Sequence, residues 1–235
     1  MAAKYDNVIP YIKKAEGGLS RALTDSASKN PAPWAYNGKT GWHTNKGVQY
    51  LTFKDMASVV GYENNAANFF TMPDNIWIGI FKEGYWKPMK CDLYDSQAIA
   101  NTVVDFAWAS GVGGARKLLI DYLKSKGIFA DGSITISQGL NSLVKKDGEA
   151  KAFNDLIDYR KQSFKNLNQP ANLPGWLSRM EQLRKQGLSV LSETFTAASE
   201  SIKKKPLESA AIALAITATI ILLYISIKKL RNKPL

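Results

Sequence analysis

Cysteine and histidine are almost absent from this chain of 235 residues, which holds one of each, Cys91 and His43. A single cysteine cannot form an intrachain disulfide bond, so we expect the fold to depend on packing alone. A catalytic zinc site usually takes three protein ligands, drawn mostly from histidine and cysteine. The composition therefore predicts an activity without a metal ion, and no motif indicates an organic cofactor.

Several other chemistries lack their sequence signals. Residues 89–92 around Cys91 show no context of an activated nucleophile, so we do not expect a cysteine peptidase that pairs Cys91 with His43. The glycine-rich stretch 110–116 matches neither a dinucleotide-binding nor a phosphate-binding loop. Basic residues are scattered rather than interleaved with aromatic ones, so a nucleic-acid partner is not predicted.

Positive charge is in excess and unevenly distributed. Lys and Arg number 31 against 20 Asp and Glu, which gives a formal net charge of +11. Residues 202–235 hold seven basic side chains and one acidic one, so the rest of the chain has only a modest basic bias. This bias suits an anionic partner such as a cell-wall polymer, lipid headgroups or nucleic acid, and does not by itself choose among them.

An apolar run near the C-terminus is the longest in the chain. Residues 210–227 are eighteen positions without a charged residue, glycine or proline. As a helix this run would be about 27 Å long, close to the roughly 30 Å hydrocarbon core of a bilayer. With residues 207–209 and the flanking lysines it is long enough to span. We predict a transmembrane helix at 207–227 and a basic tail at 228–235, and basic residues on both sides leave the orientation open.

The remainder divides into one large domain and a connection. Residues 1–187 are predicted to form a single mainly α-helical soluble domain, and Met1–Asp6 shows no apolar signal segment. Residues 188–206 are predicted to be a tether, with a frayed helical extension as the alternative. Strand signals are few: residues 34–50 fit a loop or a small irregular sheet. Helices are predicted from Val8 to Gly17, at 96–110, 116–126, 137–145 and 149–166, and from a turn at 172–176 to about Lys185.

Glu16 is the first candidate for acid chemistry. It falls in the last turn of a helix that otherwise buries Ile9 and Ile12, where the helix dipole and an apolar flank both favour the protonated carboxyl. A general acid needs that form to protonate a glycosidic oxygen. Asp25, nine residues later, offers a second carboxylate across a loop. By composition alone, however, Glu16 is more often an ordinary glutamate at a helix end.

Six short elements between Pro10 and Arg179 give the chain a family resemblance by their order. They are Glu16–Gly18, Thr44–Val48, Tyr85–Trp86, Val104–Gly111, Asp131–Gly132, and Tyr159–Arg160 together with Gly175–Arg179. Each element alone is a weak signal. In this order they resemble glycoside hydrolase family 108, the lysozyme-like muramidases.

The resemblance implies a mainly α, lysozyme-like α+β fold and a defined reaction. That reaction is cleavage of the β-1,4 bond between N-acetylmuramic acid and N-acetylglucosamine in peptidoglycan, with Glu16 as general acid. Similarity to the wider set of phage lysozymes adds Asp25, which would stabilise positive charge at the anomeric carbon or orient a water, and Thr44, which would hold that water. Two departures are a longer loop at 26–41 and Ala109 where members often carry asparagine.

Three further residues are candidates for substrate binding. Sugars stack their apolar faces on aromatic rings, and Trp42 and Tyr50 lie in an aromatic-rich stretch, although core packing is the alternative for both. Asp105 shares a helical stripe with Asn101 and Trp108. It either faces the cleft or makes a capping or inter-helix hydrogen bond.

Together these features predict a membrane-attached enzyme that cleaves peptidoglycan glycan strands. Such a protein suits a bacteriophage, either as a lysin of the host inner membrane or as a host-penetration enzyme in the internal membrane of a lipid-containing virion. A bacterial protein that aids secretion-apparatus assembly stays open, and the oligomeric state is not predicted. The alternatives are a lytic transglycosylase, which cuts the same bond without water, and a cell-wall-binding anchor without activity.

Overall fold

The computed structural model describes residues 3–128 and 134–203. The chain divides into two compact units, Met1–Gly139 and Leu140–Leu235. The predicted transmembrane helix at 207–227, the basic tail at 228–235 and the Asp131–Gly132 element lie outside the described residues. Among the helices of the described ranges, none combines the length and the apolar character needed to cross a bilayer.

The described residues are mainly helical, as the sequence predicts, with one small sheet. Single-turn 3-10 helices occur at Tyr5–Asn7, Ser26–Lys29 and Cys91–Leu93, and a π-helical turn occurs at Lys82–Trp86. The α-helices and strands are α1 (Ile9–Ala15), β1 (Thr44–Asn45), β2 (Val48–Gln49), α2 (Tyr50–Met56), α3 (Ala66–Thr71), α4 (Asp74–Phe81), α5 (Gln97–Ser125), α6 (Ile136–Asp147), α7 (Glu149–Asn166) and α8 (Leu173–Lys203).

Helix α5 is the central element of the first unit. The Ser96 side chain caps its start by accepting a hydrogen bond of 3.1 Å from the backbone N–H of Ile99. Every residue from Ala98 to Trp108 is buried, so this part of α5 is surrounded by the core on all sides. Gly111, at φ 73° and ψ 157°, then interrupts the helical backbone. The helices predicted at 96–110 and 116–126 therefore form one helix that is kinked at Gly111.

Strands β1 and β2 form a hairpin in the stretch where a small sheet was expected. Thr44 pairs with Gln49 and Asn45 with Val48, which leaves Lys46 and Gly47 as a two-residue turn. Both have positive φ, 47° and 77°, the arrangement of a type I′ turn. The buried Asn45 amide donates hydrogen bonds to the carbonyl oxygens of Phe69 (2.7 Å) and Phe70 (3.0 Å). The hairpin is thereby fixed to the end of α3, whose last carbonyls lack partners within the helix.

Helices α7 and α8 pack against each other in the second unit. The Phe164 and Trp176 rings stack with centroids 4.9 Å apart, while near the other end of α7 Phe153 lies against Gly187. The residue earlier in α7 contacts the residue later in α8, so the two helices are antiparallel. Arg184 is buried in this interface and donates hydrogen bonds to Asn154 (2.8 Å) and to Asp158.

Helix α8 differs at both ends from the helix predicted there. The turn predicted at 172–176 is wrong from residue 173 onward, because α8 already begins at Leu173. Pro174 is tolerated there because backbone N–H groups in the first turn of a helix have no partner within the helix. At the other end α8 continues past Lys185 to Lys203, in line with the alternative of a helical extension. The limits at 187 and 206 stay predictions.

Gly187 offers a test of the α7–α8 packing. A Cβ atom at this position would lie 2.2 Å from the Phe153 ring, which is fully buried. We expect Gly187→Ala to lower the free energy of unfolding by about 2 kcal/mol, since so short a contact puts the overpacking cost near the upper end of its range of about 1–3 kcal/mol and the gain in helix propensity returns only about 1. Urea unfolding followed by circular dichroism measures the change.

The matched control is Gly175→Ala, also in α8, where an added Cβ has no atom within 4 Å. This variant should be as stable as the parent chain or slightly more stable. Equal stability of the two alanine variants would contradict the packing described for Phe153.

Candidate active site

Glu16 lies where α1 ends, as the sequence predicts. Ile9 and Ile12 are buried and hold α1 against the core, with Ile12 fully inaccessible. The backbone N–H of Glu16 still donates to the carbonyl oxygens of Ile12 (3.2 Å) and Lys13 (3.3 Å). Its own φ of −95° and ψ of 138° turn the chain out of the helix. Glu16 is thus set at the helix terminus by a short, well-anchored helix.

Two parts of the chain fix the Glu16 carboxyl group. The indole N–H of Trp108, in the buried part of α5, donates to Oε1 at 2.8 Å. On another side is the hairpin turn, where a Cβ atom added to Gly47 would lie 2.3 Å from Oε2. Only glycine leaves room for the carboxyl group at this point. The acid therefore packs directly on the backbone of the turn between β1 and β2.

Aromatic side chains surround the indole that holds Glu16. Trp108 packs against Tyr85 with ring centroids 4.8 Å apart and against Trp77 at 5.2 Å. Burial raises the pKa of Tyr85, a hydrogen bond with Thr52 lowers it, and the charge of Glu16 raises it further. Tyr85 consequently keeps its proton at neutral pH and presents no second negative charge to Glu16.

Glu16 also lines a cavity of about 300 Å³ on the first unit. Its side chain is half-buried, so the carboxyl group is neither in bulk solvent nor sealed in the core. The cavity wall combines the end of α1, the hairpin turn and the start of α4. The lining residues are Lys13, Glu16, Gly17, Gly18, Lys46, Asp74 and Trp77.

The cavity contains a second carboxylate, and it belongs to Asp74. The Lys13 ammonium forms a 2.6 Å ion pair with Asp74, and that of Lys46 lies 3.9 Å from it. The hydrogen bond and charge of Lys13 lower the pKa of Asp74, with a smaller contribution from Lys46. Asp74 is therefore ionised at neutral pH. Sequence analysis missed this residue because α4 itself was not delimited.

The other two predicted catalytic residues do not share this cavity wall. Asp25 caps the 3-10 turn Ser26–Lys29, where its Oδ1 accepts the backbone N–H of Ala27 at 2.9 Å. The Thr44 hydroxyl lies 2.9 Å from Nδ1 of the buried His43. The lining residues of the cavity include Glu16 but neither Asp25 nor Thr44. Their catalytic roles stay predictions.

The three predicted substrate-binding residues differ in how far they are buried. Tyr50 is only 8% exposed and packs edge-on against Phe69 at 5.5 Å, and Asp105 is completely buried in α5. Both residues thus lie in the core, in agreement with the packing alternative for Tyr50, and their contact with substrate stays a prediction. Trp42 is half-buried, with its indole N–H donating to the Lys39 carbonyl at 3.0 Å. Its contact with sugar stays a prediction.

The residues that sequence reasoning missed are those that depend on tertiary contact. The sequence indicates a helical stripe for Trp108 but no link to Glu16, and it shows Gly47 only as part of the Thr44–Val48 motif. The Lys46–Gly47 dipeptide is a local sequence signal that could have marked the turn beside Glu16, because glycine is favoured at the second central position of a type I′ turn. In the described ranges, no group of three histidine, cysteine or acidic side chains converges in a way that could hold a metal ion.

Comparison with known proteins gives a family match and a similar fold. Residues 9–111 match the family model of Glycosyl hydrolase 108. Among solved structures, one described as the structure of Brucella abortus SagA is similar, with a TM-score of 0.58 and 22% sequence identity, over 79% of this chain and 94% of that chain. No curated protein has a significant sequence match to the chain. The likeness to SagA shows the fold alone, and the helices with a small sheet fit a lysozyme-like class.

The matched segment contains every residue described around the cavity. It begins at Ile9, the first residue of α1, and ends at Gly111, where α5 is kinked. Glu16, the hairpin turn, Asp74 and Trp108 all lie within it. The match to the Glycosyl hydrolase 108 model supports a glycosidase of the lysozyme type.

Gly47 provides a test of how Glu16 is held. We expect Gly47→Ala to reduce glycan-cleaving activity by about 100-fold, because the added methyl group displaces the carboxyl group by an ångström or more. Gly41→Ala is the matched control, since Gly41 has a similar φ of 82° but no atom within 4 Å of an added Cβ. Release of reducing ends from purified cell walls measures both. Equal losses in the two variants would contradict a specific contact between Gly47 and Glu16.

Proposed function

We propose that this glycosidase cleaves the β-1,4 bond between N-acetylmuramic acid and N-acetylglucosamine in peptidoglycan, with Glu16 as the general acid. The observation that carries the proposal is the placement of the Glu16 carboxyl group. It is half-buried in the wall of a cavity of about 300 Å³ and is fixed by Trp108 and Gly47. The match to Glycosyl hydrolase 108 supports a peptidoglycan substrate.

The indole of Trp108 supports the acid role in both states of the reaction. Before proton transfer it orients the carboxyl group through the hydrogen bond to Oε1. When Glu16 gives its proton to the glycosidic oxygen, the same N–H donates to a carboxylate, and hydrogen bonds to charged groups are the stronger ones. The interaction therefore strengthens as the bond to the leaving sugar breaks, which is the requirement for catalysis.

A lytic transglycosylase is the second candidate, and the position of Asp25 favours it. That reaction needs the acid but no second carboxylate to orient a water. Asp25 is engaged as a local cap and is not part of the cavity wall beside Glu16. The mass of the products separates the two reactions, because hydrolysis adds one water per cut and the transglycosylase leaves an anhydro sugar.

Replacement of the acid tests the proposal. We expect Glu16→Gln to lower cleavage of peptidoglycan by at least about 100-fold, because the amide can still accept the Trp108 N–H but cannot supply a proton. Zymography and mass spectrometry of the released muropeptides are the measurements. Glu63→Gln, at an exposed glutamate outside the cavity, is the control. Equal clearing by Glu16→Gln and the unaltered chain would remove Glu16 as the acid.

We further propose that residues 207–227 attach the enzyme to a membrane, as a phage lysin or a virion enzyme. The support is the uncharged run of eighteen residues and the basic residues on both sides of it. The full chain should stay in the membrane pellet after alkaline carbonate extraction, whereas a chain with 207–227 replaced by a Gly/Ser linker should be released. Release of both chains would contradict the anchor.

A further inference from the structure

Two lysines face the same cavity as Glu16 and are not explained by acid catalysis. We call Lys13 and Lys46 the ammonium pair. Lys13 extends from the last turn of α1, and its ammonium lies over the Trp77 ring at 5.3 Å. Lys46 comes from the hairpin turn, and its ammonium donates to the carbonyl oxygen of Met72 at 2.8 Å. Both side chains are partly exposed, 31% and 41%.

The position of Lys46 runs against local backbone preference. The first central position of a type I′ turn favours asparagine, aspartate or glycine, whereas this turn has lysine at φ 47°. Met72, whose carbonyl oxygen receives the Lys46 ammonium, is also in the left-handed region at φ 30°. The indole N–H of Trp77 donates to the Lys46 carbonyl at 2.9 Å. A long, flexible side chain is thus held in one place at the cavity wall.

In the structure, the Asp74 carboxylate forms ion pairs with both members of the ammonium pair. One carboxylate is shared between two ammonium groups, at 2.6 Å and 3.9 Å, so the cluster retains one net positive charge. The Asp74 side chain is 69% exposed, and ion pairs open to solvent contribute little to stability. A second carboxylate from outside can therefore bind the ammonium pair beside Asp74, or in its place, at low cost.

We propose that the ammonium pair binds a free carboxylate on the peptide stems of peptidoglycan while Glu16 acts on the adjacent glycosidic bond. This subsite rests on the proposed function. Sugar rings of the glycan strand carry hydroxyl and amide groups, and two fixed ammonium groups gain little from them. The stems carry the carboxylates, and ammonium groups bind carboxylates through charge-assisted hydrogen bonds. The enzyme accordingly prefers acidic stems to amidated ones.

The test compares three variants of the full chain on two substrates. Lys13→Gln and Lys46→Asn each remove one ammonium group, and the asparagine preserves the favoured Asn-Gly type I′ turn. Lys14→Gln is the control, because Lys14 is the exposed neighbour of Lys13 and does not line the cavity. The substrates are purified peptidoglycan with free stem carboxylates and the same material after carbodiimide coupling to ammonia, which converts the carboxylates to neutral amides.

We expect Lys13→Gln and Lys46→Asn each to raise KM about tenfold on the acidic substrate, to leave kcat unchanged and to have no effect on the amidated one. Lys14→Gln should match the unaltered chain on both. Equal loss on both substrates would mean that the lysines only support the fold, and this would overturn the subsite. Equal KM of the unaltered chain on the two substrates would overturn it as well.

A binding measurement keeps the subsite separate from the proposed reaction. The Glu16→Gln chain is titrated with a soluble disaccharide–peptide that has free carboxylates, and with its amidated form, by calorimetry. Tighter binding of the acidic form, lost on adding Lys13→Gln, supports the subsite even if the unaltered chain releases no reducing ends and the proposed function fails. Equal affinity for the two forms overturns the subsite even if peptidoglycan cleavage is demonstrated.

Discussion

The hydrogen bond from Trp108 to Glu16 joins the two parts of the fold on which the site depends. Trp108 belongs to the segment of α5 that is buried on every side, and Glu16 ends a helix of only seven residues. A helix that short is not stable alone, so its position is set by packing through Ile9 and Ile12. The rigid core helix supplies the donor, and the short helix brings the acid to it. A defined acid position follows from this pairing.

The hairpin formed by β1 and β2 supplies part of the cavity wall. Asn45 is tied to the end of α3, Lys46 reaches Met72, and Gly47 supports the Glu16 carboxyl group. Three consecutive residues therefore connect the acid, the ammonium pair and the end of α3. Asp74, just beyond Met72, completes the charged edge of the cavity. The cavity consequently depends on Lys46 and Met72, two non-glycine residues whose backbone has positive φ. Such a departure from local backbone preference is typical of functional sites.

Much of the helical framework was predictable, while the contents of the cavity were not. Periodic apolar residues predicted α1, both parts of α5, α6 and α7. In these helices the tertiary packing buries the same apolar face that the sequence pattern indicates. The short helices α2, α3 and α4 gave no bounds, since elements of six to eight residues carry too few periodic positions. Glu16 could be singled out from its helix end and motif. Asp74 and Trp108 could not be linked to it, because only tertiary packing joins such distant segments, and Tyr50 shows that an aromatic residue in a loop-rich stretch can belong to the core.

The two-residue turn at Lys46 and Gly47 has a consequence for how this site can diversify. A type I′ hairpin fixes both its length and its pairing register, so one inserted residue would shift the support of the acid and the nearby ammonium together. The proposed acid and the proposed carboxylate subsite are in this sense set by one geometric constraint. No residue of the connection at 26–41 lines the cavity. Lineages of this enzyme should therefore vary in length there while the hairpin keeps its count of residues.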